Sequence, residues 1–537
     1  MQKKFKNKLF KTAALAVCGA MLMSGCSSAK QTGNKGNAIT YPANGTYPVN
    51  CDDTLSMWME LNSSQSVLYS NFADSKCAQA LEKQTGVHVE YQHPAAGLVS
   101  EQFNLLLTSG SLPDIIVGDW YHYGAQKALD EGIILQLNEI LDKWAPNYKK
   151  VLEDRPEIAT MLKTDKGDYY TFGFIRESDE LGTYGGGMLR ADWLKQLNLD
   201  VPETIDDWTA VLTAFKEKLN VESPLMLVNS ASPFTSGFLT GAYGVTDDFY
   251  VEDGKVKYGP LEPGYKDFLL QMKQWYDSGL LDQNFAGADT KILENSMLNG
   301  KAGATYALVG GGMGAWMTSA RATGNTEFDL VGAPYPVLNK GERPKFSQMD
   351  WQYTPLRAWS ISRDCKNVEL AARLLDYGYS DEGYLLMNYG VEGETFEMKD
   401  GVPTFTDFAL NNPDGRSLSD LLTDYTLGSS SGPCLQSLTV TEATRSYPQQ
   451  TEAVKKWKES DIAEYKLPMV NFTQEENDEL GTILTDLHAY QDESMFGFIM
   501  GTMDLSNWDS YLSQMKNIGA EKAIEIYQKA VDRYMNR

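Results

Sequence analysis

Between Thr54 and Val117 the sequence alternates two periodicities, and this alternation restricts the fold more than any other feature. "TLSMWME" (54–60) sets apolar side chains at alternate positions, the period of a strand. "CAQALEKQTG" then reads as a helix closed by Gly86, and "VHVEYQ" as a second strand with Val87 and Val89 on one face. In "VSEQFNLLLTSG", Val99, Phe103, Leu106 and Leu107 follow an i, i+4, i+7, i+8 spacing that turns one helix face inward, with Gly110 placed for a left-handed cap. "LPDIIVGDW" supplies a short buried strand at Ile115–Val117. Strand, helix, strand, helix, strand predicts a parallel sheet with covering helices, an α/β fold.

The same grammar recurs downstream. In "PETIDDWTAVLTAF", Thr204 is an N-cap and Asp207 approximates a capping box, with Trp208, Val211, Leu212 and Phe215 on one face. "GYKDFLLQMKQWYDSGLL" lines up Tyr265, Phe268, Leu269, Met272 and Tyr276, and Gly279 stops it. "GKAGATYAL" begins a strand whose glycines suit close packing. "NVELAARLLDYGYS" and "AEKAIEIYQKAVDRYM" are further amphipathic helices. At roughly 100–200 residues per domain, a chain of this length predicts two to four domains.

The beginning of the chain obeys different rules. "MQKKFKNKLFK" carries five lysines and no acid, and "TAALAVCGAMLM" follows as a short apolar run. A basic region, a short apolar region and small residues make a secretory signal peptide over 1–25. The run is shorter than the ~20 residues that span a bilayer. In "MSGC", Cys26 stands where a bacterial lipobox places its lipidated cysteine, with Met23 in place of the usual leucine. Residues 26–49 are rich in Gly, Ser, Asn and Pro and read as a flexible tether.

Net charge is −25, and removing the five signal lysines leaves the mature chain at −30. That balance disfavours nucleic acid and direct adhesion to anionic lipid. Cys51, Cys77, Cys365 and Cys434 form no CxxC pair and fit either disulfides or free thiols. The four histidines, His88, His93, His122 and His488, lack metal-ligand spacing and read as structural or surface residues, so no metal or cofactor is expected.

Five stretches, in this order and spacing, resemble a known family: "LPDIIVGD", "LRADWLKQLNLDVPETIDDW", "YDSGLLDQNF", "NGKAGA" and "LLDYGYSDEGYLLMNYGVEGETF". The chain is similar to the extracellular solute-binding proteins of ABC importers, in particular large lipoproteins of oligosaccharide uptake. The resemblance implies a periplasmic-binding-protein-like fold, with two α/β lobes joined by hinge strands and a ligand cleft between them. Lobe one would hold 50–172 and 346–430, and lobe two 173–345 and 431–537. It further implies a monomer anchored by lipid outside the cell membrane of a Gram-positive bacterium, which passes an oligosaccharide to ABC permease transmembrane subunits without altering it.

A sugar presents a flat C–H face and a rim of hydroxyls, which suit aromatic rings and carboxylates or amides respectively. In open α/β sheets ligands sit beyond the carboxyl ends of strands. The candidates are therefore Trp58, Glu60 and Asn62 after the first strand, and Asp119 and Trp120 after the third, with Tyr121 and Tyr123 beside them. Trp316 follows the glycine run "GGGMG", and Tyr184, Trp351, Trp359 and Glu392 lie at or near the expected crossings. Trp193, Trp208 and Trp275 fall in helical patterns and read as packing residues. A peptide or polyamine is the alternative ligand. An Asp119/Glu392 acid pair of a glycoside hydrolase is the alternative activity. "GGGMG" lacks the Lys-Ser/Thr ending of a P-loop.

Overall fold

A computed structural model of the chain describes residues 41–49, 51–428 and 431–537. The signal peptide expected over 1–25 and the anchor expected at Cys26 lie outside the described residues. Fourteen strands occur among the described residues, and ten of them build two sheets.

In the first sheet lie β1 (Thr54–Trp58), β2 (His88–Gln92), β3 (Ile115–Gly118) and β4 (Phe172–Arg176). The chain then enters the second sheet with β5 (Gly185–Arg190) and β6 (Ser223–Leu225), followed by a separate hairpin of β7 (Phe249–Glu252) and β8 (Lys255–Tyr258). Two further strands, β9 (Ala302–Leu308) and β10 (Leu330–Gly332), complete the second sheet, and β11 (Tyr353–Ile361) returns to the first. A second hairpin of β12 (Phe396–Lys399) and β13 (Val402–Phe405) precedes β14 (Leu435–Gln436). The first sheet has the order β14-β4-β11-β3-β1-β2, and the second β10-β5-β9-β6.

The first sheet is parallel where the alternating sequence demanded it: β1 pairs in parallel with both β2 and β3. The returning strand β11 runs antiparallel to β3 and β4, so the finished sheet is mixed. Each sheet carries its own apolar core. One gathers Leu55, Phe103, Ile116, Trp120, Phe172 and Leu374, the other Trp208, Phe268, Tyr306, Trp316, Trp457 and Phe498. A smaller cluster around Phe396, Phe405 and Leu421 packs the second hairpin. The chain passes between the sheets at 177–184 and 333–352, and again after β14, where Ala453 and Trp457 join the second core. Two separate cores joined by crossing segments are what two hinged lobes require.

Local chemistry explains the elements. Gly86 closes helix Lys76–Thr85 in the left-handed conformation, at φ 69°. Thr204 and Asp207 form the full capping box of helix Ile205–Leu219. A Cβ on Gly118 would meet the Phe103 ring at 2.3 Å, so glycine there lets helix Val99–Thr108 lie against the end of β3. Gly303 plays the same part in β9 beneath Phe215 and Trp193.

Two details differ from the sequence reading. Residues 41–49, read as tether, lie on the first core: Tyr47 donates to the Arg373 carbonyl at 2.7 Å, and Val49 is fully buried. Two tyrosines and a valine give this segment apolar surface to bury. In helix Pro263–Asp277 it is Trp275 that joins Met272 in the core, while Tyr276 is half-buried one position round. Cys51, Cys77, Cys365 and Cys434 are free thiols, and burial pushes Cys77 and Cys365 up to about 12. Among the described residues no helix is long and apolar enough to cross a membrane.

Candidate functional site

Beyond the carboxyl ends of β1 and β3 the backbone opens a cavity of about 480 Å³. Trp58 and Glu60 line it from β1, and Asp119 lines it from β3. Trp58 is 6% exposed and packs on Phe103 at 5.9 Å, so it is both core and wall. Glu60 accepts from Arg357 on β11 at 3.0 Å. Across from these strand ends, Gln474, Asn477 and Asp478 come from the first turns of helix Gln474–Met500, whose body belongs to the other core.

Asp119 organises the turn that leaves β3. It is the N-cap of Trp120–Tyr123, accepting from the His122 amide at 3.1 Å and from His122 Nδ1 at 2.7 Å. The imidazole hydrogen bond to Asp119 raises the His122 pKa above the usual range. This single turn divides its aromatics. Trp120 is 0% exposed, edge-on to Phe103 at 5.1 Å, whereas Tyr121 and His122 face a cavity. His122 lines both this chamber and a larger one, and so stands at their junction.

The larger chamber has a volume of about 1010 Å³. Tyr121 and Trp351 reach it from the first-core side, their rings 6.1 Å apart. From the second core come Tyr184, Tyr306 and Trp316, the last 4% exposed on helix Ala315–Ala322. Gly311 and Gly312 bring bare backbone to the same wall within a π-turn, Val309–Gly314. Trp351 is held by its indole N–H, which donates to the Leu467 carbonyl at 3.2 Å.

A polar network floors this chamber where the chain crosses between sheets. Asp350 accepts from Tyr184 Oη at 2.6 Å, from Arg176 Nη2 at 2.9 Å and from Gln348 Nε2 at 3.1 Å. Gln348 in turn accepts from the amides of Tyr184 and Gly185. Lys466 lies 5.2 Å over the Trp351 ring, and burial lowers its pKa to about 7, against the pull of Asp350. Asp248, another wall residue, is half-buried; desolvation raises its pKa, while the Phe249 amide opposes the shift.

Six expected residues are thus brought to the two chambers: Trp58, Glu60, Asp119, Tyr184, Trp316 and Trp351. Four are placed elsewhere. Trp120 lies in the first core. Trp359, 3% exposed, points into the same core from β11, where it pairs with Val117 and Phe172. Asn62 caps the next turn, accepting from the Ser64 and Gln65 amides. Glu392 lines a separate cavity beside Tyr47 and Tyr377. Sequence reasoning passed over Asp350, Lys466 and the first turn of Gln474–Met500. Asp350 immediately precedes Trp351 and carried a legible signal. The other two are delivered by late chain crossings that no local pattern announces. His122, read as a structural or surface residue, is exposed but faces both chambers.

The chain is also similar to known proteins along most of its length. The chain is 25% identical to the fructooligosaccharide ABC transporter substrate-binding protein FusA of Streptococcus pneumoniae, over 99% of both chains. It is 28% identical to the lipoprotein LipO of Bacillus subtilis, over 73% of this chain and 74% of that one. Among solved structures, the alginate-binding protein AlgQ2 superposes with a TM-score of 0.74 at 25% identity, covering 91% of this chain and all of that one. The profile of the bacterial extracellular solute-binding proteins matches residues 66–384. With two cores, crossing segments and chambers between them, the chain belongs to the bacterial extracellular solute-binding protein family and is a binding protein, not an enzyme.

Proposed function

We propose that the chain captures an oligosaccharide between its lobes and delivers it to the transmembrane subunits of an ABC importer, held outside the cell by a lipid on Cys26. The observation that carries this reading is the larger chamber. Aromatic faces from both cores, Tyr121 and Trp351 on one side and Tyr184, Tyr306 and Trp316 on the other, surround a space floored by carboxylate, amide and backbone groups. Rings cover the C–H faces of a sugar, and the polar floor takes its hydroxyls. Contacts from both lobes favour the closed state, which a permease then recognises. The ligand set in this reading is Trp58, Glu60, Asp119, Tyr184, Trp316 and Trp351, joined by Tyr121, His122 and Asp350. The lobes in this reading are 50–172 with 346–430 and 173–345 with 431–537, except that β4 (Phe172–Arg176) and the short β14 lie in the first sheet.

FusA is named for a fructooligosaccharide and AlgQ2 for alginate, which supports a saccharide while the two ligands differ in charge. LipO, a lipoprotein, supports the anchor. A thermal-shift screen of the secreted chain against oligosaccharides tests the ligand: a raised melting temperature with the sugar recovered intact is expected. No shift with any saccharide, or a shift with peptides or polyamines alone, refutes it. Metabolic labelling with a palmitate analogue tests the anchor. Label lost on Cys26→Ser is expected, and label retained refutes it.

A further inference from the structure

The cleft carries more acid than available base, and that balance discriminates among saccharides. In the smaller chamber Glu60, Asp119 and Asp478 stand against Lys127, Arg357 and His122, whose imidazole is already bonded to Asp119 at 2.7 Å. Arg357 is already committed to Glu60 at 3.0 Å, and Lys127 rests 4.8 Å over the Tyr123 ring. In the larger chamber Asp248, Glu294 and Asp350 stand against Lys291 and Lys466. Lys291 is at the exposed rim. The guanidinium behind the floor, Arg176, is spent on Asp350 and on the Trp351 carbonyl. Among the described residues, the only arginine lining either chamber is Arg357, and it is already paired with Glu60.

We propose that this cleft selects an uncharged oligosaccharide over a uronate-bearing one; the proposal rests on the reading of the cleft as a sugar site. Hydroxyls donate to carboxylates, so Glu60, Asp119 and Asp350 are acceptors for a neutral ligand, strengthened by their charge. A uronate brings one negative charge per residue into the same space. It gains no bidentate partner there, and it meets walls of like sign in a partly water-excluded volume, where repulsion is screened least. Lys466 does not reverse the balance, because the carboxylates of Asp350 and Asp179 already act on it.

Calorimetric titration of the secreted chain, carrying Cys26→Ser, against two matched sets tests the proposal. One set is neutral (fructo-, xylo-, malto- and galacto-oligosaccharides). The other is acidic (oligogalacturonates and oligomannuronates of equal length). At least one neutral ligand is expected to bind with little salt dependence, and every uronate at least about tenfold more weakly. Glu294→Gln with Asp478→Asn is expected to narrow that gap. A uronate bound as tightly as the best neutral sugar, or a gap unchanged in the double variant, overturns the proposal while sparing the sugar site. Failure of both sets to bind removes the sugar site itself, and the proposal with it.

Discussion

The Tyr184 hydroxyl donates to the Asp350 carboxylate at 2.6 Å, and this bond joins two segments that cross between the sheets. Tyr184 lies between β4 and β5, and Asp350 between β10 and β11. The same carboxylate holds Arg176, whose side chain is only 9% exposed. Asp350 therefore ties the two crossing segments and floors the larger chamber at once. Tyr184→Phe removes one hydrogen bond and is expected to cost about 0.5–1.5 kcal/mol in denaturant unfolding. Asp350→Ala strands a nearly buried guanidinium and is expected to cost more, about 1–3 kcal/mol, and to weaken ligand binding as well. Equal stability of parent and Asp350→Ala would show that the network does not hold the hinge.

Two neighbouring tryptophans of the cleft region have opposite duties. Trp120 is sealed against Phe103, so Trp120→Ala is expected to lower stability by about 3–5 kcal/mol through lost burial and the cavity it leaves. Trp351 is half-buried at the chamber wall. Trp351→Ala is expected to lower stability less and to weaken oligosaccharide affinity by about 1–3 kcal/mol, on the scale of uncovering an aromatic face. Melting and titration of both variants separate the roles, and an affinity loss confined to Trp120→Ala reverses the assignment.

That division shows what the chain reveals before it folds. Features set by near neighbours are legible: the Thr204–Asp207 capping box, the Gly86 stop, and the stripe that sends Phe103 inward. The βαβαβ order also points to the ends of β1 and β3, where Trp58, Glu60 and Asp119 line the smaller chamber. Which aromatic of Trp120, Tyr121 and Tyr123 turns inward is decided by Phe103, a residue from another element, and no local spacing encodes it. Lys466 and Asn477 reach the site only because the chain recrosses after β14, so their place depends on the whole topology. Glu392 satisfies the local rule for a loop carboxylate, yet it lies just before β12 and lines a different cavity.

Lys466 gives the protein a pH-dependent cost. Burial brings its amine from 10.5 down to about 7. Below about pH 7 the charged amine must be held in the fold, and its full penalty applies. Between 7 and 10.5 the unfolded chain binds the proton and the folded chain does not, so this group's contribution to stability improves as pH rises. Lys466→Met is therefore expected to stabilise the protein most on the acid side of neutrality, with the advantage shrinking steadily toward pH 10. Differences in unfolding free energy across that range test the sign. An advantage that grows with pH contradicts a buried, destabilised cation.

Gly311 separates space kept for a ligand from space needed by the fold. It lines the larger chamber, its φ lies outside the left-handed region, and a Cβ built on it meets nothing within 4 Å. Neither backbone strain nor packing therefore demands glycine. Gly311→Ala at such a position reduces the entropy of the unfolded chain and is expected to leave stability unchanged or raise it by about 0.4–1 kcal/mol. The added methyl nonetheless projects from a wall where bare backbone can approach a sugar closely. Affinity is expected to fall about threefold to tenfold in Gly311→Ala, and further in Gly311→Leu, while both variants melt at or above the parent temperature. A loss of stability would return the glycine to the fold, and unchanged affinity in Gly311→Leu would remove this wall from the ligand site.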